Sequence, residues 1–100
     1  MMDEIELYEA LTNQWQKEMI SILQNTLKKY KVDDALAKEI VGDFTFDFAM
    51  LHDQYEIHVD GQDFNPRIGF DDFDGNILIS EDDSFLHEYA YENTQNAYKK

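Results

Sequence analysis

The stretch with the spacing of a metal-binding loop surrounds Gly75. If Gly75 is counted as the sixth position of a calcium loop, then Asp72, Asp74 and Glu81 fall at the third, fifth and twelfth positions. The first position requires a carboxylate but holds Phe70. The sequence of Asp74 and Gly75 is also typical of a tight hairpin turn. We therefore expect a turn and no metal site.

The histidines are the remaining candidates for metal binding or acid-base catalysis. No two of His52, His58 and His87 stand at a spacing typical of metal ligands. The chain has no Cys, and none of its serines lies in a glycine-flanked nucleophile motif. No glycine-rich phosphate-binding motif occurs. We expect a protein that is not an enzyme, with no catalytic residue and no cofactor.

Acidic residues form the clearest pattern with a bearing on function. Glu39, Asp43 and Asp47 recur every four residues, so they share one face of a predicted helix. Like charges at this spacing cost about 0.2–0.5 kcal/mol per pair, so local stability does not explain them. A second group lies around the predicted hairpin and the start of the last helix, where an aromatic residue accompanies the acids. Its members are Asp71, Asp72, Phe73, Asp74, Asp82 and Asp83.

The net charge of -14 is concentrated in the last two thirds of the chain. Residues 1–31 contain five acids and four bases, whereas residues 32–100 contain seventeen acids and four bases. Nucleic acids and anionic membranes are bound mainly by Lys and Arg, so neither is an expected partner. A basic protein is the expected partner, unless the acidity serves only solubility.

Length and composition indicate one domain covering residues 1–100. Hydrophobic residues make up 43% of the chain and aromatic residues 14%, which is enough for a core. The absence of Cys suits the cytoplasm. The acidic N-terminus does not have the character of a secretory signal, and no apolar run is long enough to span a bilayer.

Two helices are predicted in the first half of the chain. Apolar residues at helical spacing predict a helix from Asp3 to Tyr30. The residues expected to be buried in it are Trp15, Met19, Ile22 and Leu27. A second helix follows, capped by Asp33 or Asp34. Its expected apolar stripe is Leu36, Ile40, Phe44, Phe48 and Leu51. For residues 43–48 a strand is the alternative, because aromatic and polar residues alternate there.

The second half predicts three strands and a helix. Alternating residues from Tyr55 to Val59, residues 64–70 and residues 77–79 predict a three-stranded antiparallel meander with turns at Asp60-Gly61 and Asp74-Gly75. A final helix begins after caps among residues 80–84 and ends near Tyr98. The predicted fold class is α+β with the order α-α-β-β-β-α.

Three functions fit these patterns. The first is an inhibitor that sequesters a basic nuclease, toxin or nucleic-acid-binding protein through an acidic surface, as an immunity protein, antitoxin or nucleic-acid mimic does. The second is an interaction or adaptor module, either a monomer or a homodimer that pairs through Trp15 and Leu23 of the long first helix. The third is a small metal-dependent or hydrolytic enzyme built around the histidines.

Overall fold

The computed structural model describes residues 2–53, 57–80 and 86–99, and it has an α+β fold. Two N-terminal helices, α1 (Glu4–Lys29) and α2 (Asp34–Asp53), precede four short strands. The strands are β1 (Ile57–Val59), β2 (Gln62–Phe64), β3 (Phe70–Asp71) and β4 (Ile77–Leu78), and helix α3 (Leu86–Ala97) follows them. None of these helices is long and apolar enough to cross a membrane.

Aspartates cap both N-terminal helices. The carboxylate of Asp3 accepts a hydrogen bond of 2.8 Å from the backbone N–H of Glu6, and Asp33 accepts one of 3.0 Å from Leu36. Such caps satisfy backbone donors that have no partner within the helix. The predicted helix over residues 43–48 is confirmed, since these residues lie inside α2.

The predicted three-stranded meander is wrong. The structure has two separate two-stranded antiparallel sheets, one formed by β1 and β2 and the other by β3 and β4. The predicted strand over residues 64–70 is split, because Pro66 lies within it and has no N–H to donate to a ladder. The turn at Asp60-Gly61 is confirmed as a two-residue hairpin loop, with φ of 52° and 74°.

The three helices form the core, and α3 packs against both α1 and α2. Much of this core consists of small or polar residues. The buried apolar residues are Tyr8, Ile20, Ala37, Val41, Ala49, Leu86 and Ala90. The buried polar residues are Thr12, Gln16, Thr45, Asp53, Asn93 and Thr94.

Side-chain amides of α1 hold α3 along its length. Gln16 Nε2 donates to the carbonyl oxygen of Leu86 at 2.9 Å, and Gln24 Nε2 donates to that of Ala97 at 3.0 Å. These carbonyls belong to the first and last residues of α3. The Asn93 amide nitrogen lies 2.8 Å from both Asn13 Oδ1 and Gln16 Oε1. Each buried amide in this set therefore has partners, as burial of polar groups requires.

The predicted buried stripe of α1 is corrected at Ile22, which is 68% exposed. Trp15, Met19 and Leu27 are partly buried, but they do not form the most deeply buried face of the helix. The buried face is instead Tyr8, Thr12, Gln16 and Ile20, which also repeats every four residues. The prediction considered only apolar residues, so it placed the neighbouring face in the core. Polar residues that have hydrogen-bond partners can also be buried, and here they are.

The predicted stripe of α2 is also displaced. Leu36, Ile40 and Phe44 are exposed, and Phe48 and Leu51 are half-buried. The buried face of α2 consists mainly of small residues. They are Ala37, Val41, Gly42, Thr45 and Ala49, with Asp53 at the end of the helix. Small residues on this face allow α2 to approach its neighbours closely.

The N-terminus of α3 is capped from another helix. The backbone N–H of His87 donates to Asp53 Oδ2 at 2.8 Å, and the ring Nδ1 of His87 also contacts this buried carboxylate. On the inner side of α3, Leu86 and Ala90 are buried and Tyr89 is half-buried. The predicted caps at residues 81–84 lie outside the described residues.

The amide contacts predict that two asparagines of α3 differ in how much stability is lost when each is replaced by Ala. Asn93→Ala removes the donor shared by Asn13 and Gln16 and leaves a buried acceptor without its donor, which costs roughly 1–3 kcal/mol. Asn96→Ala changes an exposed side chain on the same helix and should alter stability by less than about 0.5 kcal/mol. Urea unfolding followed by circular dichroism measures both values. Equal midpoints for the two variants would show that the amide contacts do not stabilise the core.

Candidate macromolecular interface

The predicted row of acids lies on the outer surface of α2. Glu39, Asp43 and Asp47 are all exposed. Within the described residues, no Lys or Arg lies within salt-bridge distance of any of the three. The row therefore presents three carboxylates to solvent, with Lys38 beside Glu39 in the sequence. We call these three residues the acid row.

A groove between α2 and α3 runs beside the acid row. It has a volume of about 640 Å³, and Glu39, Asp43, Tyr91 and Gln95 are among its lining residues. Gly42 sets its depth, because a Cβ at this position would stand 3.3 Å from Tyr91 Cε1. The absence of a side chain at Gly42 thus lets the Tyr91 ring lie against α2.

Tyr91 connects the acid row to α3. Its ring stacks on Phe46 with centroids 5.4 Å apart, and its hydroxyl lies 3.4 Å from Asp43 Oδ1. Tyr91 nevertheless remains 53% exposed. Desolvation against α2 raises the pKa of Tyr91, and the charges of Asp43 and Asp47 raise this pKa further. The Tyr91 hydroxyl is therefore protonated at physiological pH and can donate a hydrogen bond.

The acids of the second hairpin have a structural role. Asp71 Oδ1 accepts from the backbone N–H of Phe73 at 2.8 Å, and Asp72 Oδ1 accepts from that of Asp74 at 2.8 Å. Asp72 Oδ2 also accepts from the Asn76 side chain at 3.0 Å. These hydrogen bonds lower the pKa of Asp72, those from the Asp74 N–H and the Asn76 amide most. Turn formation thus accounts for acids at these two positions.

Phe73 projects from the tip of this hairpin. It is 93% exposed and has a φ of 68°, in the left-handed region that non-glycine residues seldom occupy. Of the two arrangements open to this residue, one folded over the sheet and one pointing outward, the structure has the second. The predicted site residues Asp82 and Asp83 lie outside the described residues.

The histidines have separate local partners. His52 Nδ1 lies 3.0 Å from the carbonyl oxygen of Phe48, His58 pairs with Asp63 on the first hairpin, and His87 pairs with Asp53. Among the residues that the structure describes, no three His, Asp or Glu side chains are placed to bind a metal together. The pair of His87 and Asp53 was missed from the sequence, since 34 positions separate the two residues.

Comparison with known proteins gives no relative. No protein-family model, no curated protein and no solved structure matches this chain.

The contact between Tyr91 and Asp43 predicts a specific titration change. Asp43→Asn removes the nearest negative charge, so the pKa of Tyr91 should fall towards the ordinary tyrosine value near 10. NMR titration of ¹³Cζ-labelled tyrosine measures this change. Tyr8 is an internal control, because its pKa is raised by burial and by Asp53 while Arg67 lowers it. A Tyr91 pKa that Asp43→Asn leaves unchanged would contradict the contact.

Proposed function

We propose that this protein is a non-enzymatic binding protein that sequesters or inhibits a basic macromolecular partner through the acid row of α2. The observation that carries the proposal is the set of three exposed carboxylates, none of which forms an ion pair with a Lys or Arg within the described residues. Mutual repulsion within the row opposes folding, so the row needs an explanation outside the stability of the isolated chain.

The contrast with the hairpin acids supports the choice of α2. Asp71 and Asp72 accept backbone hydrogen bonds that hold their turn together. The carboxylates of Glu39 and Asp47 accept no such bond within the described part of the chain, and Asp43 contacts only the exposed hydroxyl of Tyr91. The acid row is therefore available for contact with positive charge on another molecule.

The charge of the chain favours a basic protein as partner. Twenty-two acids against eight bases would repel nucleic acid and anionic lipid. Complementary charge accelerates association by about 10–1,000-fold and disfavours wrong partners. Basic nucleases, toxins and nucleic-acid-binding proteins present surfaces of the required sign. An inhibitor that covers such a surface would act as an immunity protein, an antitoxin or a nucleic-acid mimic.

Charge reversal on α2 tests the proposal. A partner is first captured from native host cells at low salt and identified, and its association rate is then measured with purified proteins. Asp43→Lys combined with Asp47→Lys should slow association at least about tenfold at low salt. It should leave thermal stability equal or higher, because repulsion in the row is relieved.

A matched control distinguishes the effect of where the charge is reversed from the effect of the change in net charge. Glu88→Lys combined with Glu92→Lys changes the net charge equally, at the same four-residue spacing, on exposed positions of α3. This variant should associate within about twofold to threefold of the parent at physiological salt, where screening acts over about 8 Å. If the Asp43→Lys and Asp47→Lys double variant associates at the parental rate at low and physiological salt, the acid row is not the interface.

A further inference from the structure

The outer surface of α2 also carries a row of exposed apolar residues. Leu36, Ile40 and Phe44 are 49%, 37% and 47% exposed. They follow one another at four-residue spacing, so they lie on one line along the helix. Phe48 continues the line and is half-buried. We call Leu36, Ile40, Phe44 and Phe48 the apolar ridge.

Aromatic stacking fixes one end of the apolar ridge. The Phe44 and Phe48 rings stack with centroids 5.5 Å apart, and Trp15 of α1 stacks on Phe48 at 5.9 Å. The ring of His52 packs edge-on against both Trp15 and Phe48. Side chains held in this way lose little conformational entropy when another molecule covers them. The ridge is therefore preorganised for binding.

Helix α1 widens this surface. Ile22 is 68% exposed and lies two helical turns beyond Trp15, on the same side of α1. The exposed Glu18 stands between them, three residues after Trp15 and four before Ile22. Helix α1 thus resembles α2 in having exposed apolar side chains next to a carboxylate.

The acid row follows the apolar ridge along its full exposed length. Glu39, Asp43 and Asp47 each stand three residues after a ridge residue, which places every carboxylate beside an apolar side chain. An apolar centre with a charged margin is the usual composition of a protein interface. Here the margin is negative, so the matching surface is apolar with positive edges.

The shape of this surface favours a helix as the occupant. The ridge extends over twelve residues of α2, or about 18 Å at 1.5 Å per residue. Amphipathic helices bind hydrophobic grooves of partner proteins through apolar residues at positions i, i+3 or i+4, and i+7. The apolar ridge and Ile22 of α1 offer a comparable elongated apolar surface. Lys and Arg beside such a stripe would meet the acid row.

A second copy of this chain fits the surface poorly. Each chain carries a net charge of -14, and the acid row borders the ridge. Two ridges packed face to face with antiparallel helices would bring the two acid rows together, and in any arrangement the two strongly negative chains would repel each other. The charge on the ridge margin thus selects a basic partner over self-association.

We infer that the apolar ridge and the acid row together bind a basic amphipathic helix of the partner protein. This inference rests on the proposed function and specifies the part of the partner that is bound. The apolar stripe of the partner helix covers Phe44, Ile40 and Ile22, and its Lys or Arg side chains pair with Asp43 and Asp47.

Three synthetic peptides of equal length test the inference on the full chain. The first is a Leu/Lys peptide with Leu at helical amphipathic spacing, the second is a scrambled peptide of the same composition, and the third replaces every Lys with Glu. Trp15 fluorescence and peptide anisotropy report binding. The amphipathic Leu/Lys peptide should bind at least tenfold more tightly than the scrambled peptide, and the Leu/Glu peptide should not bind.

Variants of the ridge locate the binding surface. Ile40→Ala combined with Phe44→Ala should weaken binding of the Leu/Lys peptide at least tenfold. Ile22→Ser gives a second, independent variant at a more exposed position, where loss of the side chain disturbs the fold least. Ile77→Ala combined with Ile79→Ala alters exposed apolar residues outside the helices and should change binding by less than twofold. Circular dichroism confirms that each variant is folded.

The outcomes separate this inference from the proposed function. If the scrambled and amphipathic basic peptides bind equally, and the Asp43→Lys and Asp47→Lys double variant binds neither, the acid row functions alone and the helix inference is wrong. If neither basic peptide binds at low salt, the helix inference is wrong, and charge reversal measured with the captured partner decides the proposed function separately. A dimer in sedimentation that Ile22→Ser dissociates would show that a second copy covers the ridge, and would also overturn the inference.

Discussion

The amide hydrogen bonds between α1 and α3 determine how the rest of the molecule is arranged. Gln16 contacts the first carbonyl of α3, Gln24 contacts the last one, and Asn93 joins Gln16 to Asn13. Buried amides without partners would each cost about 1–3 kcal/mol, so α1 must keep its polar face turned towards α3. The rotation of α1 about its own axis is thereby fixed.

This rotation places apolar residues on the surface. With Gln16 and Ile20 directed inward, Ile22 lies in solvent and Trp15 lies at the boundary with α2. Helix α2 packs through small residues such as Ala37, Val41 and Ala49, so its larger apolar side chains lie outside the core as well. The exposure of the apolar ridge thus follows from how the core is built. The acid row accompanies it because both belong to the same helix at fixed spacing.

Helix locations could be predicted from the sequence, whereas helix orientations could not. The limits of α1 followed from apolar periodicity, and the Asp60-Gly61 turn followed from its two residues. The predicted core faces of α1 and α2 were displaced because each helix has two stripes of four-residue spacing. The more deeply buried stripe contains polar residues in α1 and small residues in α2. Only the position of α3 decides between them, and Asn93 is 77 residues from Gln16 in sequence.

The candidate site divides in the same way. The exposure of Glu39, Asp43 and Asp47 was predictable from their spacing on one helix. The contact of Tyr91 with Asp43 and the Asp53 cap of α3 depend on tertiary packing, so no local pattern reveals them. Asp71 and Asp72 were predicted to belong to an interface. Both carboxylates accept backbone hydrogen bonds within their own turn, so local structure also explains why acids occur there.

Solvent accessibility of individual methyl groups tests the central claim most directly. The claim requires Ile22 of α1 and Ile40 of α2 to be exposed. A soluble nitroxide is added to the methyl-labelled protein, and NMR signal loss is recorded for each residue. Ile22 and Ile40 should lose intensity strongly, while Ile20 and Val41, which are 1% and 0% exposed, should be protected. Protection of Ile22 and Ile40 equal to that of Ile20 would contradict the account, since the apolar ridge would then be part of the core.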